Sequence, residues 1–246
     1  MPRYRLLIEY NGGPFQGWQR LRELPTVQGS LEEAATKLDD GAPVEVFGAG
    51  RTDSGVHATG QVAHMDLQID RGHKVADAMN FHLRPHPIAI LKAEEVDDEF
   101  SARFSATERH YRFIIVNRRA DLTLERGLAW RVPSALDADK MHEAAQYLVG
   151  THDFTTFRDT DCQANSPLRT LNAISVSRYG DRVELTCRAQ SFLHRQVRSM
   201  VGSLVEVGRG RRPVQWIKQI LEAADRTKCG PISPPDGLYL EKVDYE

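Results

Sequence analysis

Twice along the chain the spacing of apolar residues switches between a period of two and a period near 3.6, in the same order each time, and few folds satisfy that order. The first stretch sets Tyr4, Leu6, Ile8 and Tyr10 against Arg3, Arg5 and Glu9, the alternation of a half-buried strand. After the breaker Gly12-Gly13-Pro14, Thr26 is placed to cap a helix whose apolar residues are Val27, Leu31, Ala34, Ala35 and Leu38. Val44, Val46 and Phe47 predict a short strand, and residues 61–67 another. Val75, Ala78, Met79 and Leu83 predict a second helix, stopped before Pro85, and residues 88–93 a closing strand.

The second half repeats the succession. Residues 109–116 read as a strand, and a helix from near Ser134 carries Met141, Ala144, Ala145, Leu148 and Val149. Strands at 170–178 and 183–188 follow, then a helix from about Leu193 to Val207, a shorter one at 214–223, and a final strand at 238–243. Both halves therefore run β-α-β-β-α-β, the split βαβ or ferredoxin-like order. The expected fold is α+β, with two ferredoxin-like halves, residues 1–105 and 106–246, joined into one extended, mostly antiparallel sheet. Helices would cover one side and a central cleft would lie between the halves. The boundary falls near residues 100–107, where no low-complexity linker separates them.

A chain of 246 residues can build either one large domain or two small ones. It contains no apolar run of about 18 residues, so no membrane span is expected. Its start, MPRYRLLIEY, is too short and too charged for a signal peptide, so a cytoplasmic location is expected. Cys162, Cys187 and Cys229 are odd in number and form no CxxC pair, which argues against both a disulfide framework and a zinc site. The nine histidines show no HExxH or paired metal spacing. A net charge of −2 by itself argues against a nucleic-acid partner. The arginines nonetheless recur in clusters, Arg20/Arg22, Arg109/Arg112, Arg118/Arg119, Arg195/Arg198 and Arg209/Arg211/Arg212, while the acids gather elsewhere. A fold can turn such clusters to one face.

The segment GAGRTDSGVHATGQ, residues 48–61, holds Arg51, Thr52, Asp53 and His57 among four glycines. It lacks the Lys-Ser/Thr of a phosphate loop. Taken alone, its spacing favours a simple Asp-Ser-Gly turn. Two readings can be weighed on the residues alone. A ferredoxin-like RNA-binding scaffold would carry aromatics in an RNP1-like strand, and no such block is present. A small-molecule hydrolase using Asp53 and His57 rests only on their four-residue spacing.

GAGRTDSGVHATGQVAH resembles the signature of the tRNA pseudouridine synthase A family, whose core reads GRTDxGVHA. The resemblance runs along most of the chain. YNGGPFQGWQ (residues 10–19) is similar to YDGTxFxGWQ, with Asn11 where Asp is usual, and TVQGSLEEA (26–34) matches the next helix start. FSARFSATERHYRF (100–113) is similar to FxARFSAxxRxYxY. CQANSPLRT (162–170), FLHRQVRSMVGSL (192–204) and PPDGLYLEKVDY (234–245) match later blocks.

The resemblance implies conversion of uridine to pseudouridine at positions 38, 39 and 40 of the tRNA anticodon arm, by a homodimer in which one tRNA contacts both subunits. Trp18, Trp130 and Trp216 are candidates for that interface. The reaction breaks the bond between ribose C1′ and uracil N1, turns the base, and re-bonds it through C5. The net change oxidises nothing and transfers nothing, so no cofactor and no metal are expected.

The resemblance makes Asp53 the nucleophile, and a carboxylate suits that role because it can add covalently and leave again. Burial raises a carboxyl pKa and a cation lowers it. The family places that cation in the helix matching FLHRQVR, where Arg198 stands. Tyr111 matches the RxYxY block, and its ring is suited to stack on the target base while its hydroxyl orients or transfers a proton. The target base must be extruded. Arg51 is placed either to hold the rotated backbone or to form a structural salt bridge. His57 is expected to orient the loop rather than move protons. Arg20, Arg22, Arg109 and Arg195 are the candidate phosphate contacts, although position 195 is often His in the family. Arg209, Arg211 and Arg212 follow a helix end, where they are placed to neutralise its dipole. Cys162 is read as structural or RNA-adjacent.

Overall fold

The computed structural model describes residues 1–245. In chain order, the first elements are β1 (Arg3–Tyr10), α1 (Val27–Leu38), β2 (Phe47–Gly48), β3 (His57–Asp66), α2 (Val75–Leu83), β4 (Ile88–Val96) and β5 (Ala106–Val116). They are followed by β6 (Trp130–Arg131), α3 (Ala138–Ala145), β7 (Gly150–Asp153), β8 (Leu168–Tyr179), β9 (Arg182–Ala189), α4 (Gln196–Gly208), α5 (Trp216–Ala223) and β10 (Leu238–Tyr245). The chain forms two compact units, Met1–Thr107 with Tyr239–Glu246, and Glu108–Leu238. The class is α+β and the strand pairing mixed but mostly antiparallel.

In the first unit β1 lies between β3 and β4 and is antiparallel to both, so that Leu6 stands opposite Ala63 on one side and Ala93 on the other. β2 adds two residues to the edge of β3, opposite His64 and Ala63. β10 runs parallel to the start of β3, with Tyr239 opposite His57 and Leu240 opposite Ala58. The order β4-β1-β3 with β2 outside is the ferredoxin-like one. The alternation in β1 explains its central place, since Tyr4, Leu6, Ile8 and Tyr10 are all buried. Their face receives α1 and α2, whose buried residues Leu31, Ala34, Ala35, Leu38, Val75, Met79 and Leu83 recur at helical spacing. Thr26 starts α1 from an extended backbone, its Oγ1 accepting the Gly29 N–H at 3.2 Å.

In the second unit β5 pairs with β9, β9 with β8, and β8 with β7, all antiparallel. Every residue of α4 is buried except Arg198 and Glu206. A predominantly apolar helix of this kind is stable only when neighbours cover it on most sides, and here α3 and α5 pack against it.

Several boundaries differ from the sequence expectation, and β6 and β7 are additional strands. α3 begins at Ala138 rather than near Ser134, because the Asp137 carboxylate accepts the Lys140 N–H at 3.0 Å and so sets the cap. β3 begins at His57, before the expected residue 61, where Gly60 lets the chain of β10 pass: a Cβ on Gly60 would lie 2.2 Å from the Glu241 carbonyl oxygen. β6 and β7 span two and four residues, too few to show a period of two.

On the other face of the first unit's sheet, Arg5 stands opposite both His64 and Glu94. His64 is buried, and its Nδ1 accepts the Ala102 N–H at 3.1 Å. Burial, helped by the charge of Arg3, holds its pKa below the usual value. The unfolded chain therefore takes up this proton near pH ~6.5, and the folded chain only at lower pH. Stability from this site is complete above that point and falls as pH drops through it. The thermal midpoint of the wild type should decline from pH 7 toward pH 5 more steeply than that of His64→Asn, which keeps an acceptor that does not titrate. Parallel slopes would remove His64 as a source of the decline.

Candidate active site

The Gly-rich segment and the segment after β1 form the two sides of one joint, which lies wholly within the first unit. At its base the Tyr10 hydroxyl lies 2.8 Å from Thr52 Oγ1 and receives a second hydrogen bond from Gln61 Nε2 at 3.5 Å. Burial pushes the Tyr10 pKa up to about 12, so the hydroxyl stays neutral. The Gln61 side chain also donates to the Gly50 carbonyl at 2.8 Å. Further along, the Trp18 N–H donates to the Thr52 carbonyl at 3.0 Å, and the Gly55 N–H and Ser54 hydroxyl both donate to the Phe15 carbonyl at 3.3 Å. The Gly12 N–H donates to His57 Nδ1 at 3.0 Å.

Two glycines make this approach possible. A Cβ on Gly12 would lie 1.9 Å from the Val56 carbonyl oxygen. Gly17 has φ +89°, and a Cβ there would lie 2.7 Å from the Thr52 carbonyl oxygen. Trp18 closes the joint from the side, its indole so near Gly48 that a Cβ there would lie 2.5 Å from the ring.

Asp53 sits half-buried in the middle of this joint. Its carbonyl accepts the Val56 N–H at 3.1 Å, and Gly55 takes φ +79°, which makes residues 53–56 a turn requiring glycine at its third position. The simple Asp-Ser-Gly turn is therefore present, and the hydrogen bonds of Ser54 and Gly55, with those of the flanking Thr52 and His57, distinguish it from an ordinary surface turn. His57 is 1% exposed and stacks on Tyr239, with ring centres 4.8 Å apart. Because Nδ1 accepts from Gly12, the ring is neutral with its proton on Nε2. Arg51 is exposed and makes no hydrogen bond or ion pair among the described residues. Arg20 is 58% exposed and is ion-paired with the nearly buried Glu32, its Nη1 2.6 Å from Oε2.

The remaining candidates lie in the second unit. Tyr111, in mid-β5 opposite Cys187, is 9% exposed and packs edge-to-face on Phe192 at 5.1 Å. Arg198 is one of the two residues of α4 that are not buried. Its Nε donates to the Ser233 carbonyl at 2.9 Å, while its own carbonyl accepts both the N–H and the hydroxyl of Ser233, at 3.2 and 3.1 Å. Gly202, one turn further along α4, admits this strap: a Cβ there would lie 1.7 Å from the Pro231 carbonyl oxygen. Arg195 takes a left-handed φ of +57° at the start of α4 and lies 3.0 Å from Asp159. Burial opposes ionisation of Asp159, but the Asp161 N–H and Arg195 outweigh it and hold the carboxyl below its usual range. Arg109 is 8% exposed and donates to the Gln190 carbonyl at 2.6 Å.

Sequence reasoning missed Tyr10, Thr52, Gln61, Gly202 and Ser233 as parts of the site. Tyr10 carried a signal, because a tyrosine on the core-facing side of a strand needs a partner for its hydroxyl. Ser233 carried none. Trp18, read as an interface candidate, is 2% exposed and belongs to the interior of the joint.

A family model described as tRNA pseudouridine synthase matches residues 7–105 and 144–246. The chain belongs to that family. Both sides of the joint lie in the first matched segment and Arg198 in the second, while Arg109 and Tyr111 fall between them. Among relatives within the tRNA pseudouridine synthases, the tRNA pseudouridine synthase A of Hyphomonas neptunium is 74% identical over 245 residues, covering 100% of this chain and 99% of its own length. The protein of the same name from Maricaulis maris is 64% identical, covering 100% of this chain and 98% of its own. That of Rhodopseudomonas palustris is 60% identical over the full length of both chains.

The joint predicts an order of sensitivity. Tyr10→Phe strands the Thr52 hydroxyl in a closed site and should cost about 1–2 kcal/mol. Gly12→Ala forces two backbones apart and should cost more. Urea denaturation of both variants checks this, and a smaller loss for Gly12→Ala than for Tyr10→Phe would contradict the geometry.

Proposed function

We propose that this chain converts uridine to pseudouridine at positions 38–40 of the tRNA anticodon arm, with Asp53 as the nucleophile. The observation that carries the reading is the anchoring of the Asp53 turn. Breaking the C1′–N1 bond, rotating the base and joining C1′ to C5 requires one carboxylate to keep its place through several steps. Hydrogen bonds from Trp18, Gly55, Ser54, Tyr10 and Gly12 to or from the turn's neighbours supply that fixity.

Tyr111 and Arg198 are assigned to the same reaction. Tyr111 offers a ring held upright by Phe192 and serves as a platform for the base, its hydroxyl orienting it. Arg198 is held at Nε by Ser233, which fixes the plane of its guanidinium. It stabilises negative charge as the base leaves and returns. His57 positions the turn through Gly12 and moves no proton.

The extruded nucleotide leaves a rotated backbone behind it. Arg51, exposed and unpaired among the described residues, holds that backbone. Arg20 keeps most of its surface open beside Glu32 and contacts phosphate. Arg195 reaches RNA by exchanging Asp159 for phosphate, and Arg109 acts by bracing β5 against residue 190. The active form is a homodimer with one tRNA spanning both subunits. No helix among the described residues is long and apolar enough to cross a membrane.

The test incubates an unmodified tRNA transcript with wild type and with Asp53→Asn and maps pseudouridine. Wild type should modify the anticodon arm, and the variant should bind the transcript but give essentially no product. Full turnover by the variant would remove Asp53 from the chemistry. Arg198→Ala should lower kcat about 100-fold or more while changing tRNA affinity little, the scale expected for one lost charge-stabilising donor. An unchanged kcat would remove Arg198 from the site.

A further inference from the structure

Phe104 is 81% exposed, the largest exposure of any aromatic ring among the described residues. A lone phenyl ring in water is ordinarily accommodated by a loop that can fold it back against the surface. The turn that carries Phe104 has no such freedom. The Ala102 N–H donates to the buried His64 Nδ1 at 3.1 Å, and the Tyr245 hydroxyl donates to the Ala102 carbonyl at 2.7 Å. Arg3 donates to the carbonyls of Asp98 and Phe100, at 2.9 Å for the latter. Across the turn, the Ser105 N–H donates to the Ser101 carbonyl at 2.9 Å, the Ser101 N–H to Ser105 Oγ at 3.0 Å, and the Phe104 N–H to Ser101 Oγ at 3.3 Å. Ala102 is fully buried beneath it.

Two further features give the turn a chemical character. The Arg103 guanidinium lies over the Phe104 ring, 5.4 Å from its centre. His64, which fixes Ala102, also stacks against Phe47, itself 49% exposed, with centres 5.1 Å apart and planes 21° from parallel. The turn thus presents, on a fixed backbone, an exposed π-face and a positive charge together, with a second exposed ring tied to the same imidazole. Ser105 and Thr107, which follow Phe104, are exposed and polar. Two exposed rings bordered by polar residues, with a charge beside one of them, are a poor core for a protein interface, which needs contiguous apolar area. It suits a nucleic acid, where stacking accepts any base and the cation meets phosphate.

We propose that Arg103 and Phe104 form a second contact for the tRNA, in which an unpaired nucleobase stacks on Phe104 and its phosphate meets Arg103. The inference rests on the tRNA substrate proposed above. The contact is distinct from the site of reaction: His64 stands seven residues along β3 from His57, about 23 Å at the rise of a strand. Phe104 therefore touches a different nucleotide from the one at Asp53, and it fixes where along the tRNA the enzyme sits.

The experiment uses the full chain with an unmodified tRNA transcript and measures pseudouridine formation and direct binding for wild type, Phe104→Ala and Phe104→Tyr. Phe104→Ala should raise KM and Kd about tenfold or more, the scale of one lost base stack. Its kcat at saturating tRNA should stay within about twofold, and its thermal midpoint should match wild type. Phe104→Tyr, which keeps the ring, should restore affinity. Unchanged KM and Kd for Phe104→Ala would overturn the contact. So would a change in its oligomeric state, which would assign the ring to a subunit interface, or a loss of thermal stability equal to the loss of affinity. Absence of pseudouridine from the wild-type reaction would count against the activity itself, and the binding comparison would then still decide the contact.

Discussion

The hydroxyls of Tyr10 and Thr52, 2.8 Å apart where water does not reach, tie the end of the central strand to the turn that carries Asp53. Each is the other's main partner, so losing one leaves the other desolvated and unsatisfied. Around this pair the two backbones approach so closely that side chains are excluded at Gly12 and Gly17. A loop closed in this way has few alternative conformations. Its ordering is achieved when the domain folds, so none remains to be achieved when substrate binds. A carboxylate mounted on it keeps one position, which a reaction with several bond changes requires.

The second unit uses the same device for a different side chain. Arg198 is long, and an unrestrained arginine loses about 2 kcal/mol of rotamer entropy when fixed. Here Ser233 fixes Nε before any ligand arrives, and Gly202 permits the strap that brings Ser233 to the helix. In both places a glycine removes a Cβ so that a backbone can approach, and the approaching backbone then holds the functional group. The anchoring at both places thus depends on Gly12, Gly17, Gly202 and Ser233, none of which is itself a candidate for the chemistry.

What could be read from the sequence follows from the range of each interaction. α1, with its Thr26 cap and its apolar residues four apart, depends on neighbours within a turn and was placed residue by residue. β1 announced its central position through strict alternation. β6 and β7 exist because longer strands lie beside them, and nothing local marks them. The same division holds for the site. Asp53 stood out through a long uninterrupted motif, but the reason for the glycines opposite it lies more than thirty residues away in the chain. Arg20, Arg109 and Arg195 looked alike as members of basic clusters. Their partners, Glu32, the Gln190 carbonyl and Asp159, separate two partly exposed, ion-paired cations, Arg20 and Arg195, from the buried brace Arg109. Trp18 looked like a surface anchor for the same reason, because a motif gives no burial.

Residue-resolved amide hydrogen exchange tests the rigidity of the joint most directly. The N–H groups of Trp18 and Gly55 lie in segments with no helix or strand, yet each is bonded across the joint. If the joint is closed as described, both should exchange as slowly as the amides of β1, through unfolding of the whole unit. Exchange several orders of magnitude faster than in β1, at the rate of an open loop, would contradict a fixed seat for the carboxylate.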